Sequence, residues 1–256
     1  MRLAMGVEYD GTLFHGWQRQ EGTKTVQQAV EEALSRVAAH PVRVVCAGRT
    51  DAGVHALEQV IHFDTRARRS PRSWVFGGNA HLPEGVVFLW AKEVDETFHA
   101  RFSAIERRYR YVILNRPVRP ALDRHRVAWE PRPLHVKAMQ EAAAHLLGRH
   151  DFSAYRAMAC QAKSPVRTLK RLEVERRGER IVIDAVADGF LHHMVRNIAG
   201  VLMAIGMGKH PPLWAKEVLE GRDRTLGGVT APPQGLYLAQ VTYPAVFALP
   251  PSRAFC

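Results

Sequence analysis

The residue best placed to do chemistry is an aspartate held between glycines at the end of an apolar run. In Cys46-Ala47-Gly48-Arg49-Thr50-Asp51-Ala52-Gly53-Val54-His55-Ala56, a strand-like lead enters a loop in which two glycines flank Arg-Thr-Asp. Glycines there let the backbone turn sharply and approach a ligand closely. Asp51 is then displayed at a strand end, with Arg49 near enough to keep its carboxylate charged. The plainer reading is a turn aspartate that satisfies amides of its own loop. Local sequence leaves both open.

Two further clusters have chemical character. Arg107-Arg108-Tyr109-Arg110-Tyr111 interleaves cations with aromatic rings, a pattern suited to single-stranded or flipped nucleotides. Read as an ordinary strand, it puts Arg107, Tyr109 and Tyr111 on one side and makes at least one ring core. In His192-His193-Met194-Val195-Arg196-Asn197, Arg196 falls at the start of an apolar helix. A cation is mildly unfavourable at a helix N-terminus, so the position argues for a specific anionic partner. A phosphate contact or an exposed helix charge is the alternative. Adjacent histidines point in different directions and no third ligand follows at i+4, so no metal is expected. Cys46 reads as a small core residue.

The elements that must position these residues alternate strand and helix. Leu3–Tyr9, Val42–Ala47, Gln59–Phe63 and Val86–Val94 read as strands. Thr25-Val26-Gln27-Gln28 has the capping-box pattern, and Val26, Val30, Ala33, Leu34 and Val37 continue it at helical spacing until Pro41. A short helix is expected over Pro71–Asn79. Further on, Tyr109–Leu114 is strand-like and Leu134–Leu147 is an amphipathic helix. Thr168–Glu175 and Ile181–Ala187 make a hairpin around Arg177-Gly178-Glu179. An apolar helix spans about Leu191–Met207, a short one Pro212–Glu220, and a last strand Leu236–Tyr243. The two halves have similar element orders, which suggests two α/β subdomains, 1–104 and 105–256, whose sheets could join. Arg116–Pro133 is the linker candidate.

The chain has 256 residues with 36 Lys+Arg and 25 Asp+Glu, a net charge of +11. Residues 1–104 hold 12 of each sign, so the whole excess lies in 105–256. Of the basic residues 29 are arginine, whose planar fork suits phosphate and base edges. This favours a polyanionic partner, most simply nucleic acid, over an arginine-rich composition without function. At 46% hydrophobic and 24% charged, bulk disorder is excluded. The longest apolar stretch, around Ile198–Met207, is too short for a bilayer span. Glu8 comes too early for a secretory signal, and Cys46, Cys160 and Cys256 form neither a disulfide framework nor a CxxC pair. A cytoplasmic location away from membranes is expected.

Gly48–His55 resembles the catalytic motif of the tRNA pseudouridine synthase A (TruA) family. Other blocks agree in order: Gly6–Gly11, Gly16–Gln20, Phe98–Ser103, Arg107–Tyr111 and Phe190–Asn197. The resemblance runs from about residue 4 to Tyr243. It implies an α/β (α+β) chain of two similar subdomains, with mixed, mainly antiparallel sheets joined side by side and helices packed on one face. It implies isomerisation of uridine to pseudouridine in the anticodon stem-loop of tRNA, at positions 38, 39 and 40, by a homodimer. No cofactor is implied, in keeping with the lack of a P-loop or GxGxxG fingerprint. Asp51 becomes the nucleophile at C1′ of the ribose or C6 of the base, or the base that removes the C2′ proton. Tyr109 stacks on the target base and takes the C5 proton, Arg49 binds substrate, and Arg196 pairs with the catalytic carboxylate. Phe98, His99, Ala100, Arg101 and Phe102, and Ala159, Cys160, Gln161, Ala162 and Lys163, contact RNA, Arg101 helping to flip the base. The competing readings are a non-catalytic RNA-binding module on the same scaffold and a nucleoside or sugar hydrolase. The hydrolase usually needs two carboxylates, where this loop has one.

Overall fold

Apolar residues along β1 (Arg2–Tyr9) are buried on both faces, and the strand runs antiparallel between β3 (His55–Asp64) and β4 (Val86–Val94). A computed structural model of the chain describes residues 1–158, 160 and 162–251. Its backbone groups into two units, one of Met1–Glu106 with the stretch from Tyr237 onward, the other of Arg107–Leu236. The fold is mixed α/β, with five α-helices among the described residues.

In the first unit, α1 (Val26–Ala38) buries Val26, Val30, Ala33 and Leu34 along one stripe. Thr25 caps it by accepting from the Gln28 amide at 3.4 Å, but the Gln28 side chain bonds Glu32 at 2.9 Å, so only half the capping box forms. The helix ends on Ala39 in the left-handed region, ahead of Pro41. Strand β2 is only Val45–Cys46, shorter than the spacing of apolar residues predicts. The reason lies in α1: Ser35 Oγ accepts from the Val42 amide at 2.9 Å and Glu31 Oε1 from Val44 at 3.2 Å, so those amides are not free for a ladder. Ser70 caps α2 (Pro71–Asn79), whose Trp74 is buried edge-on to Phe63 with ring centres 5.3 Å apart. The last strand, β10 (Leu236–Thr242), pairs parallel with β3 at Tyr237–His55. A division of the chain into 1–104 and 105–256 does not anticipate that return.

The second unit is built on β5 (Glu106–Asn115), β6 (Ala128–Glu130), β7 (Gly148–Asp151), β8 (Val166–Arg177) and β9 (Arg180–Ala187). Strands β5, β9, β8 and β7 follow one another antiparallel, and β6 lies parallel to β5. The β8–β9 hairpin turns on Gly178, whose φ of +61° favours glycine. Ile181, Ile183, Ala185 and Ala187 are fully buried along one face of β9. The helices of this unit are α3 (Val136–Ala144), α4 (Met194–Gly206) and α5 (Trp214–Gly221). Helix α4 starts at Met194 because His193 sits at φ 62°, outside helical geometry. It is buried all round except for the stripe Arg196, Gly200 and Ala204, so its apolarity is satisfied within the chain. No helix of the described residues is long and apolar enough to cross a membrane.

Two tests follow from these contacts. A Cβ at Gly200 would stand 1.9 Å from the Val229 carbonyl oxygen, backbone that cannot yield as a flexible side chain does. Alanine ordinarily gains about 1 kcal/mol over glycine in a helix. Here Gly200→Ala should lose about 1–3 kcal/mol in urea unfolding, because overpacking outweighs propensity. The second test concerns His62 on β3, 5% exposed and accepting the Ala100 amide on Nδ1 at 3.1 Å. Burial, and then the charges of His99 and Arg2, lower its pKa to about 4 from 6.5. A native pKa below the unfolded one gives stability that is complete above 6.5 and lost as pH falls toward 4. Unfolding at stepped pH should lose up to about 3 kcal/mol over that window, and His62→Asn should flatten the loss.

Candidate functional site

The loop 48–55 is bonded from below by two buried side chains. Gln59, fully buried on β3, donates from Nε2 to the Gly48 carbonyl at 2.6 Å and accepts the Gly48 amide on Oε1 at 3.4 Å. Tyr9 at the end of β1 shares a hydrogen bond of 2.7 Å between its hydroxyl and Thr50 Oγ1, and Gln59 Nε2 reaches the same hydroxyl at 3.5 Å. From the side, the Trp17 amide donates to the Thr50 carbonyl at 2.9 Å. Within the loop, the Val54 amide closes a turn on the Asp51 carbonyl at 3.1 Å, with Gly53 at φ +77°. Gly11 and Gly16 let the neighbouring chain approach this closely: a Cβ on Gly11 would lie 2.0 Å from the Val54 oxygen, and Gly16 has φ +82°. Beyond the loop, His55 accepts the Gly11 amide on Nδ1 at 3.0 Å and stacks on Tyr237 at 4.8 Å.

The result is an alternation. Arg49 is exposed, Thr50 is buried, and Asp51 is half-buried. With its backbone fixed on both sides, the Asp51 carboxylate is presented from a rigid support, as a reacting group requires. Cys46 just before the loop is inert: burial pushes its thiol up to about 12, against the weaker opposing pull of Arg49 and Arg101. That the fields of both arginines reach this sulfur brings Arg49, Arg101 and the Asp51 loop into one neighbourhood of the first unit.

Phe98–Phe102 does not meet solvent as a single strip. Phe98 and Ala100 are fully buried, with Phe98 packed on Tyr243 and Phe247 at 5.0 Å each. Their side chains point into the unit and anchor the segment, so among the five residues expected at RNA these two offer no side chain to solvent. His99 is half-buried, and Arg101 and Phe102 are exposed, Phe102 to 75%.

In the second unit Tyr109 is 9% exposed and set edge-on to Phe190 at 5.0 Å, opposite Ala185 of β9. Tyr111 is the core ring that the alternation predicts; its hydroxyl donates to the Pro232 carbonyl at 2.8 Å, and burial raises its pKa. Arg108 and Arg110 lie on the opposite face and bind Asp184, at 2.5 and 3.1 Å, together with Arg171 at 3.1 Å. Against the cost of burial, the Arg108 and Arg110 guanidiniums hold the Asp184 carboxyl below its usual range. Arg108 and Arg110 are thus engaged by a buried acid and are not open phosphate grips interleaved with the tyrosines. Arg196 is half-buried in the first turn of α4, donating from Nε to the Ala231 carbonyl at 2.9 Å. Cys160 and Ala162 are half-buried and Lys163 is exposed; Ala159 and Gln161 lie outside the described residues.

Sequence reasoning missed Tyr9, Gln59 and His62 as parts of the site. A signal existed: Glu58, Gln59 and His62 interrupt an otherwise apolar strand, and a buried polar side chain must have a partner.

Comparison with known proteins extends this picture. The family model described as tRNA pseudouridine synthase matches residues 5–103 and 142–244, stretches that hold Asp51, the Phe98–Phe102 segment and Arg196. The tRNA pseudouridine synthase A of Nitrosococcus oceani is 62% identical over 250 residues, covering 98% of this chain and 96% of its own. That of Alcanivorax borkumensis is 60% identical over 250 residues, with 97% and 94% covered. That of Methylococcus capsulatus is 58% identical over 255 residues, with 100% and 94% covered. With the family model matching most of the chain and these relatives nearly all of it, the chain belongs to the tRNA pseudouridine synthase family.

Proposed function

We propose that this isomerase converts uridine to pseudouridine in the anticodon stem-loop of tRNA, at positions 38, 39 and 40, with Asp51 as the nucleophile. The observation that supports this best is the braced loop: a half-exposed carboxylate on a backbone pinned by Gln59 and Tyr9. In the reaction the Asp51 carboxylate adds to C1′ of the ribose or C6 of the base, and the N1–C1′ bond breaks. The uracil turns, C5 joins C1′ as the carboxylate departs, and the C5 proton is lost while N1 gains one. Splitting one hard displacement into two easier ones is what a covalent nucleophile contributes. No atoms are gained or lost, so the mass of the RNA is unchanged.

Tyr109 and Arg196 complete the catalytic set in the roles the resemblance implies, Tyr109 toward the base and Arg196 as the cation for the carboxylate. Arg49 binds substrate from the same loop as Asp51. Arg101 and Phe102, with His99 between the buried Phe98 and Ala100, carry the RNA contact of their segment, and Cys160, Ala162 and Lys163 that of theirs. Residues 1–104 present the chemistry in the main, through Asp51, and residues 105–256 much of the phosphate grip. A homodimer, carried by the family resemblance alone, and a cytoplasmic location, carried by the early Glu8 and the unpaired cysteine pattern of the sequence, complete the reading.

Chemical mapping of pseudouridine in unmodified tRNA tests the nucleophile. Asp51→Ala should cut conversion by about 10³-fold or more while tRNA binding persists, since removing one member of a catalytic unit removes most of its action. Modification that survives the substitution, or uracil released into solution, would sink the assignment. The brace is tested separately. Gln59→Leu and Tyr9→Phe leave Asp51 in place but free its backbone, and misplacement by an ångström costs up to about 10²-fold. Single-turnover rates should fall about 10–100-fold with KM for tRNA little changed; an equal loss in both would show the residues to be general scaffold.

A further inference from the structure

Three consecutive backbone amides in the first unit are occupied by imidazoles. The Ala100 amide donates to His62 Nδ1 at 3.1 Å, and the Arg101 and Phe102 amides both donate to His99 Nδ1 at 3.2 Å. The flanking groups are tied as well. The His99 amide donates to Ser103 Oγ and the Ser103 amide to the His99 carbonyl, both at 2.9 Å. The Tyr243 hydroxyl donates to the Ala100 carbonyl at 2.6 Å. Arg2 donates to the Phe98 carbonyl at 3.0 Å and to that of Glu96. The backbone of this turn is thus held from several sides.

Its two exposed side chains are arranged as a platform. The Phe102 ring lies 4.4 Å from the His99 ring at a 30° tilt, and the Arg101 guanidinium stands 5.5 Å from the Phe102 ring centre. An aromatic ring left 75% exposed beside a cation is a surface on which a base can stack. An imidazole nitrogen that accepts a backbone N–H carries no proton of its own, so both rings must be neutral. The surroundings favour this: His62 is buried and its ring sits 4.7 Å from the His99 ring, while burial and then Arg2 and Arg101 disfavour a charge on His99.

We propose that His62 and His99 form an acceptor clamp that sets the Ala100–Phe102 turn, and that they are positioning residues for Arg101 and Phe102 where these meet RNA. The proposal rests on the reading that this turn contacts RNA. It gives His99 a role inside the protein beside the RNA contact of its segment, and brings in His62 from β3. A clamp of this kind removes the ordering cost that a loose turn would incur on binding.

The test combines amide hydrogen exchange on the free protein with steady-state kinetics on tRNA. His99→Leu removes the acceptor and keeps apolar bulk. It should speed exchange at the Arg101 and Phe102 amides about tenfold and raise KM for tRNA by a similar factor, with kcat little changed. His99→Asn, whose Oδ1 can accept where Nδ1 did, should restore both. Unchanged exchange in His99→Leu, or an asparagine variant no better than leucine, would overturn the clamp. Nitrogen NMR of the wild-type imidazoles should find Nδ1 unprotonated in both rings at neutral pH; a protonated Nδ1 in either would overturn it without any variant. Arg101→Ala with unchanged KM would overturn instead the reading that the turn grips RNA.

Discussion

A loop that turns through two glycines to display one carboxylate cannot satisfy its own backbone. The buried Gln59–Tyr9 pair does so from beneath, and much of the first unit is arranged to deliver that pair. β1 ends on Tyr9, β3 holds the buried Gln59 beneath Gly48, and the Gly16–Gln20 segment brings the Trp17 amide to Thr50. A carboxamide suits the task because it donates and accepts in one plane, meeting both the carbonyl and the amide of Gly48. In a dry interior such a network is stiff, and leaving any member unpaired is costly. The same economy recurs at the Phe98–Ser103 turn, where two imidazoles and a serine do for another exposed pair what Gln59 and Tyr9 do for Asp51.

The positive charge of the second half has a more divided use than its sum suggests. Arg108, Arg110 and Arg171 converge on Asp184, a partly desolvated acid that holds them to the sheet. At the surface Arg116 pairs with Glu179, Arg180 with Asp123 and Arg177 with Glu175. Exposed pairs of this kind are worth little and exchange readily for a phosphate. The Asp184 cluster is of the other kind: removing its acid would leave several cations crowded together.

What could be read from the sequence was local. The Thr25 cap, the stop at Pro41, the Gly178 hairpin and the core role of Tyr111 each follow from residues within a few positions of one another. Reading failed where a side chain far along the chain decides the outcome. Val42 and Val44 look like strand, but Ser35 and Glu31 take their amides. Arg108 and Arg110 look like phosphate ligands, but Asp184, more than seventy residues away, holds them. Phe98 and Ala100 sit inside a motif whose exposed members are Arg101 and Phe102, and alternation alone does not say which residues a turn hides. The glycine-flanked setting of Asp51 drew notice, though only the family resemblance chose between a reacting group and a turn residue; the residues that brace its loop were not legible, because their bonds span about forty positions for Tyr9 and about ten for Gln59.

The return of β10 to pair with β3 bears on the order in which the molecule is made. The second unit is one continuous stretch and has all its strands once residue 236 has been synthesised. The first is interrupted, and His55, at the exit of the Asp51 loop, stacks on a tyrosine added some 180 residues later. A nascent chain therefore reaches Tyr237 with its later unit complete in sequence and its earlier one still open along β3. The strand leaving the carboxylate loop gains this neighbour only after the whole second unit has been made, so a product truncated before Tyr237 lacks part of its support even when Asp51 itself is present.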